Sequence, residues 1–174
     1  MERMAEPTRT RKKTARCACG SVELEAVGTP ITSVVCYCES CQEGSRRIEA
    51  LPNGRAVCDP DGGTAYVLYR KDRVEYPKGS RLLRGLKLKE GSSTKRVVAS
   101  CCDWPMFLEF EKGHWLSMYG AALRGDPLPP EMRVHTKSRP AGVRLPNDVP
   151  NHRGYSPEFM AKLFGAWIAM VLRR

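Results

Sequence analysis

The sequence predicts a mainly β domain closed by a C-terminal α-helix. Three observations carry that reading. From residue 17 to 124 the chain is a series of short β-branched or alternating runs cut by Gly, Pro, Asn and Asp. Seven of the eight cysteines fall in three tight groups within the same stretch, the pattern of a metal-stapled domain. Helical signals dominate only after residue 155.

Residues 1–16 are expected to form a disordered basic arm. They carry Arg3, Arg9, Arg11, Lys12, Lys13 and Arg16 against Glu2 and Glu6, a good part of the formal net charge of +10. Strands are expected at Ser21–Val27, whose apolar and polar residues alternate, and at the β-branched Ile31–Tyr37. Glu39–Leu51 suits a short helix before the turn at Pro52-Asn53-Gly54. Thr64–Tyr69 and Arg73–Tyr76 read as strands joined by a hairpin tip at Lys71-Asp72. Arg81–Lys89 and Lys95–Ser100 also read as extended. Trp104–Phe110 and His114–Tyr119 flank Glu111-Lys112-Gly113 as a second hairpin, with Pro105 marking an edge or a bend. Residues 125–154 are rich in Pro, Gly, Arg and Asn and read as a strap or lid over the body. Residues 155–174 start with Ser156 as N-cap and Pro157 at the first helical position. The apolar face from Phe159 to Leu172 is expected to pack on the domain, a homodimer or a membrane surface being the other uses of such a face. No run is apolar for long enough to span a membrane, and residues 1–16 lack the apolar core of a secretory signal, so a cytoplasmic setting is expected.

The cysteines read Cys17-x-Cys19-Gly20, then Cys36-Tyr37-Cys38-x-x-Cys41, then Cys101-Cys102, with sixteen residues between Cys19 and Cys36 and fifty-nine between Cys41 and Cys101. Thiolates so close together in a reducing compartment suit zinc, which takes soft sulfur ligands in a tetrahedron. Cys17 and Cys19 need partners from elsewhere, and Cys101 with Cys102 is the remote pair available. Adjacent strand residues point to opposite faces, so both bind one ion only if the chain turns there. Cys36, Cys38 and Cys41 make three ligands. Either a fourth comes from His114, His135, His152 or Cys58, or the position stays open, as in catalytic sites. One ion or two both fit the spacing. Cys58 reads as a small buried apolar residue.

At these residues the sequence resembles the glutathione-dependent formaldehyde-activating enzyme family, which includes the centromere protein V domain. The family pattern is an early C-x-C-G, a central C-H-C-x-x-C and a late C-x-x-C-G followed by Pro. The first is intact at Cys17-Ala18-Cys19-Gly20. The second has Tyr37 in place of the usual His. In the third, Cys102 and Pro105 match, Ala99 stands at the first late cysteine, Asp103 replaces Gly, and Cys101 is the candidate substitute ligand. The resemblance implies a zinc-bound antiparallel β-tent over residues 16–120. It implies a structural zinc at Cys17, Cys19, Cys102 and Cys101, and a second zinc at Cys36, Cys38 and Cys41. It also implies joining a small thiol such as glutathione to an aldehyde, a carbon–sulfur lyase activity when run in reverse.

Under that reading Cys36, Cys38 and Cys41 are the catalytic set. Arg46 and Arg47 are candidates to receive carboxylates of the thiol, and Tyr37 to contact substrate or supply a proton. The alternative is a zinc-stabilised module without catalysis, binding nucleic acid or an acidic protein through the basic arm. A dithiol redox role fits Cys38-x-x-Cys41 poorly because of the flanking Cys36.

Overall fold

The structure, a computed structural model, describes residues 12–173. Ten strands and two α-helices follow in the order β1 Lys12–Arg16, β2 Glu23–Val27, β3 Thr32–Cys36, α1 Glu39–Glu49, β4 Thr64–Arg70, β5 Val74–Lys78, β6 Leu83–Leu86, β7 Thr94–Ala99, β8 Trp104–Phe110, β9 Trp115–Tyr119, β10 Met132–Val134 and α2 Pro157–Val171. They form a three-stranded sheet, β1-β2-β5, and a seven-stranded sheet, β10-β3-β4-β9-β8-β7-β6. Every pairing is antiparallel except β10 with β3. The expected mainly β architecture with a C-terminal helix is therefore present.

The alternation of side chains along β4 explains the layering. Val67 and Tyr69 enter a core with Leu24 and Ala26 of the small sheet and Met106, Leu116 and Met118 of the large one. Tyr66 and Leu68 face the other way, into a second core with Ile48 of α1 and Phe159 and Leu163 of α2. A central strand buried on both faces has no polar side to expose, which is why β4 reads as nearly continuous apolar sequence.

Three expectations need correction. Lys12–Arg16, assigned to the disordered arm, form β1 and pair residue for residue with β2. Lys12 and Arg16 are held by Glu25 and Glu23, and Lys13 donates to the carbonyl of Asp126, so these charges have partners within the chain. Residues 1–11, the rest of that arm, lie outside the described residues. Second, β4 and β5 are not a hairpin: a 3-10 turn at Lys71–Arg73 carries the chain from the large sheet to the small one. Short-range alternation cannot distinguish a hairpin from a change of sheet. Third, the 125–154 strap contributes β10 to the large sheet, so it is partly structural. It is anchored by Arg133, which donates to Asp148 at 2.7 Å.

The hairpin of β8 and β9 forms as expected. Pro105 sits where the β7–β8 register shifts, beyond the part of β8 that pairs with β9. Only Phe159 and Leu163 of α2 are buried, so its apolar surface exceeds what the domain covers. Among the described residues, no helix is long and apolar enough to cross a membrane.

Candidate metal centres and the adjoining cavities

Two groups of cysteines converge. Cys17, Cys19, Cys101 and Cys102 place all four Sγ atoms within 4.8 Å of one another. Four sulfurs at about 2.3 Å from a tetrahedral zinc lie about 3.8 Å apart. The separations here are 3.6 Å for Cys17–Cys19, 3.9 Å for Cys17–Cys101, 3.3 Å for Cys19–Cys101 and 3.9 Å for Cys101–Cys102. The donor set therefore fits a closed four-sulfur metal site. Local backbone geometry builds it. Gly20 lies in the left-handed region at φ 75°, which folds the chain back so that Val22 N–H donates to Cys17 Sγ at 3.2 Å. At the far side, Cys101 and Cys102 sit in the turn between β7 and β8, not on a strand, which lets adjacent side chains point the same way. Asp103 ends that turn at φ 53°. Its carboxylate accepts from Asn53 N–H and from Arg84, which fixes the turn in place. Ser21, hydrogen-bonded beside Cys19, draws that thiol down to about 6.

The second group is Cys36, Cys38 and Cys41, with Sγ atoms again within 4.8 Å. Cys36 ends β3. Cys38 is the N-cap of α1, its sulfur accepting from Cys41 N–H at 3.3 Å, and Cys41 lies in the first helical turn. Hydrogen bonds from the Cys36 and Cys41 thiols hold Cys38 far below the ordinary thiol range, and Cys36 is pushed up correspondingly. Tyr66 Oη lies 3.4 Å from Cys41 Sγ. Among the described residues no fourth His, Asp, Glu or Cys joins the three. They open instead into a cavity of about 520 Å³, walled mainly by apolar side chains including Phe110, Trp115, Tyr155 and Phe159. His135 lines the same cavity, its ring 4.3 Å from that of Tyr155 in an edge-to-face contact. It is held in the left-handed region at φ 55°, at the end of β10.

The other anticipated residues are placed as follows. Tyr37 is almost wholly buried and donates its hydroxyl to Asp61 at 2.7 Å; it does not line the cavity over the cysteines. Arg46 and Arg47 lie exposed on α1, both paired with Glu43, and neither lines that cavity. Cys58 is half-buried, 3.0 Å from Thr64 Oγ1, and belongs to neither cluster.

Arg96 was not singled out from sequence. It is 2% exposed and donates Nη2 to both the carbonyl and the hydroxyl of Ser40, each at 2.7 Å, in the first turn of α1. Its Nε packs against Gly44, where a Cβ would lie 2.2 Å away. The available signal was an arginine two residues from Val98 on the same face of a buried strand, together with a glycine inside a helix.

The sequence pattern of the glutathione-dependent formaldehyde-activating enzyme family matches residues 12–51, the stretch that carries the first two cysteine motifs. The resemblance to that family is thus found in the N-terminal part of the chain, while Cys101 and Cys102 lie outside the matched residues. No curated protein matches the chain significantly. Among solved structures, the crystal structure of a Rhodobacter sphaeroides protein, a structural genomics target, has 16% identity and a TM-score of 0.44. The match covers 79% of this chain and 98% of that one.

Proposed function

We propose that the protein binds a small thiol, glutathione or one like it, over Cys36, Cys38 and Cys41 and adds it to an aldehyde, or runs the reverse cleavage. The outer four cysteines would hold a purely structural ion. The observation that carries this reading is the difference between the clusters: four sulfurs close one site, whereas three leave the other open to a cavity of about 520 Å³. Zinc at the open cluster would supply a coordination position for a thiolate.

The remaining work falls to the chain. The apolar walls from Phe110, Trp115 and Phe159 keep water from competing with the thiol for the carbonyl carbon. In the forward direction a C–S bond forms and the carbonyl π bond opens to an alcohol. The thiol proton has to travel to the carbonyl oxygen. His135 is the candidate carrier, taking the proton from sulfur and delivering it to oxygen. This replaces the His that the family usually has at the position of Tyr37. Tyr37 acts by position here, its bond to Asp61 holding the loop that follows Cys36.

The test is metal content. Purified protein should carry two zinc ions per chain, and Cys38→Ser should carry one and stay folded, because the outer cluster is intact. Loaded wild-type protein should then consume thiol and formaldehyde together, and His135→Gln should slow this without releasing metal. One zinc in the wild type, unchanged in Cys38→Ser, overturns the reading.

A further inference from the structure

Helix α2 carries two apolar stripes, and the domain covers one of them. Phe159 and Leu163 are buried in the second core. On the opposite side Ala161, Gly165, Ile168 and Leu172 recur at helical spacing, with Phe164, Trp167 and Val171 beside them. All of these are exposed, and among the large ones the exposure runs from 38% at Ile168 to 81% at Leu172. Taking roughly 200 Å² for a fully exposed large apolar side chain, this face, with Met160 included, offers on the order of 600 Å². The largest apolar patch of a soluble monomer is about 300–600 Å², and a standard interface takes about 800 Å² from each partner. Two such faces together bury about 1,200 Å², which reaches the range of specific protein pairs.

Gly165 is a second, independent observation. Glycine inside a helix is destabilising relative to alanine, so its presence calls for a reason. At Gly44 the chain supplies one, the packed Arg96 side chain. At Gly165 a Cβ would meet nothing within 4 Å, so nothing within the chain requires glycine there. A second helix pressed against this turn would require it. In an antiparallel pair of α2 helices, Ile168 of each copy falls opposite Gly165 of the other, and Leu172 opposite Ala161. A large side chain then sits over a small one at both levels. The same arrangement brings Glu158, in the first turn of one helix, near Arg173 beyond the end of the other. A membrane surface fits this face less well. Helices that lie in a bilayer interface carry a polar side rich in Lys and Arg. Here that side holds Lys162, already paired with Glu131 and Glu158, and Arg173 at the end.

We propose that the exposed face of α2 binds a second copy of this chain, the two helices crossing antiparallel over Gly165. The interface does not depend on the chemistry at the cysteines, but it reaches them. Phe159, Met160 and Leu163 of the same helix wall the cavity over Cys36, Cys38 and Cys41. The second copy holds that wall in place from outside.

Analytical ultracentrifugation of the full chain over a wide concentration range tests this. Wild type should sediment as a dimer, and its melting temperature should rise with protein concentration. Phe164→Glu and Ile168→Glu each bury an unpaired charge in the contact and should raise the dissociation constant about a hundredfold or more. Both residues are exposed in the single chain, so the variants should keep the circular dichroism and metal content of wild type. Gly165→Leu separates a close helix crossing from general apolar adhesion. It adds apolar surface, which would strengthen adhesion, whereas a close crossing is blocked and should weaken about tenfold or more. A wild type that stays monomeric at the highest attainable concentration overturns the proposal. If that monomer sediments with phosphatidylcholine vesicles, the face belongs to a membrane instead. A dimer unaffected by Phe164→Glu and Ile168→Glu, or tightened by Gly165→Leu, overturns the proposal as well.

Discussion

Replacing Gly44 by alanine sets two opposing effects against each other on one atom. Inside a helix the change should stabilise, since glycine costs about 1 kcal/mol relative to alanine. In this helix the new Cβ would lie 2.2 Å from Arg96 Nε, 2.9 Å from Cδ and 3.0 Å from Cζ. Arg96 has nowhere to go, being 2% exposed and bonded twice to Ser40 at 2.7 Å. Moving it sacrifices charge-assisted bonds worth about 1.5–3 kcal/mol each, while lifting α1 away costs about 1–3 kcal/mol of overpacking. An approach this close, against a side chain that cannot yield, puts the cost in the upper part of the overpacking range, about 2–3 kcal/mol, so after the propensity gain of about 1 kcal/mol Gly44→Ala should destabilise the chain by about 1–2 kcal/mol. At this chain length that lowers the melting temperature by roughly 2–8 °C. Thermal and urea denaturation of the metal-loaded protein would measure it. A cycle with Arg96→Ala isolates the cause: once the guanidinium is gone, alanine at 44 should become neutral or stabilising. An unchanged or higher melting temperature in the single variant would refute the steric account of why this helix carries a glycine.

Other consequences are simpler to check. Tyr37→Phe removes the 2.7 Å bond to Asp61 and should cost about 1–3 kcal/mol in urea unfolding, with zinc content unchanged. Ser156→Ala deletes the oxygen that accepts from Phe159 N–H at 3.0 Å, and should cost about 1 kcal/mol and speed amide exchange in the first turn of α2. The Arg133 guanidinium holds the Asp148 carboxyl below its usual range. The ion pair therefore stabilises the strap fully above the ordinary carboxylate pKa and is lost as the pH falls through the lowered one. Limited proteolysis across residues 140–150 with an acid-active protease should rise on acidification. Arg133→Gln should show the same cleavage at neutral pH, and cleavage independent of pH would contradict the pinning role.

Local signals made most of this molecule legible. The alternation in Ser21–Val27 and the turn residues around β8 and β9 report backbone conformation directly, and those elements form. The inner cysteine cluster assembles from the residues the spacing singled out, because tight spacing constrains geometry before folding, whereas the outer one was legible only as two close pairs that each needed remote partners. Other long-range placement was not legible. The sequence of β4 and β5 says strand twice but cannot say that they belong to different sheets. Lys12–Arg16 is polar and basic, so nothing local marks it as β1; the pairing comes from β2, with Glu23 and Glu25 opposite the cations. Arg96 looks like one more surface charge in a basic chain until the register of β7 sets it beneath α1.

The outer cluster ties Cys17 to Cys101, 84 residues along the chain. A crosslink closing a loop of that size removes about 4–5 kcal/mol of freedom from an unfolded chain, by the accounting used for disulfides. An ion held there would thus fasten the start of the small sheet to the β7–β8 turn of the large one, a contact of high sequence separation. Such contacts form late, after the local hairpins. Metal supply, more than strand formation, would then decide when the chain commits to its native topology. Chelation would open the domain at the junction of its sheets and leave the β8–β9 hairpin among the last elements to yield.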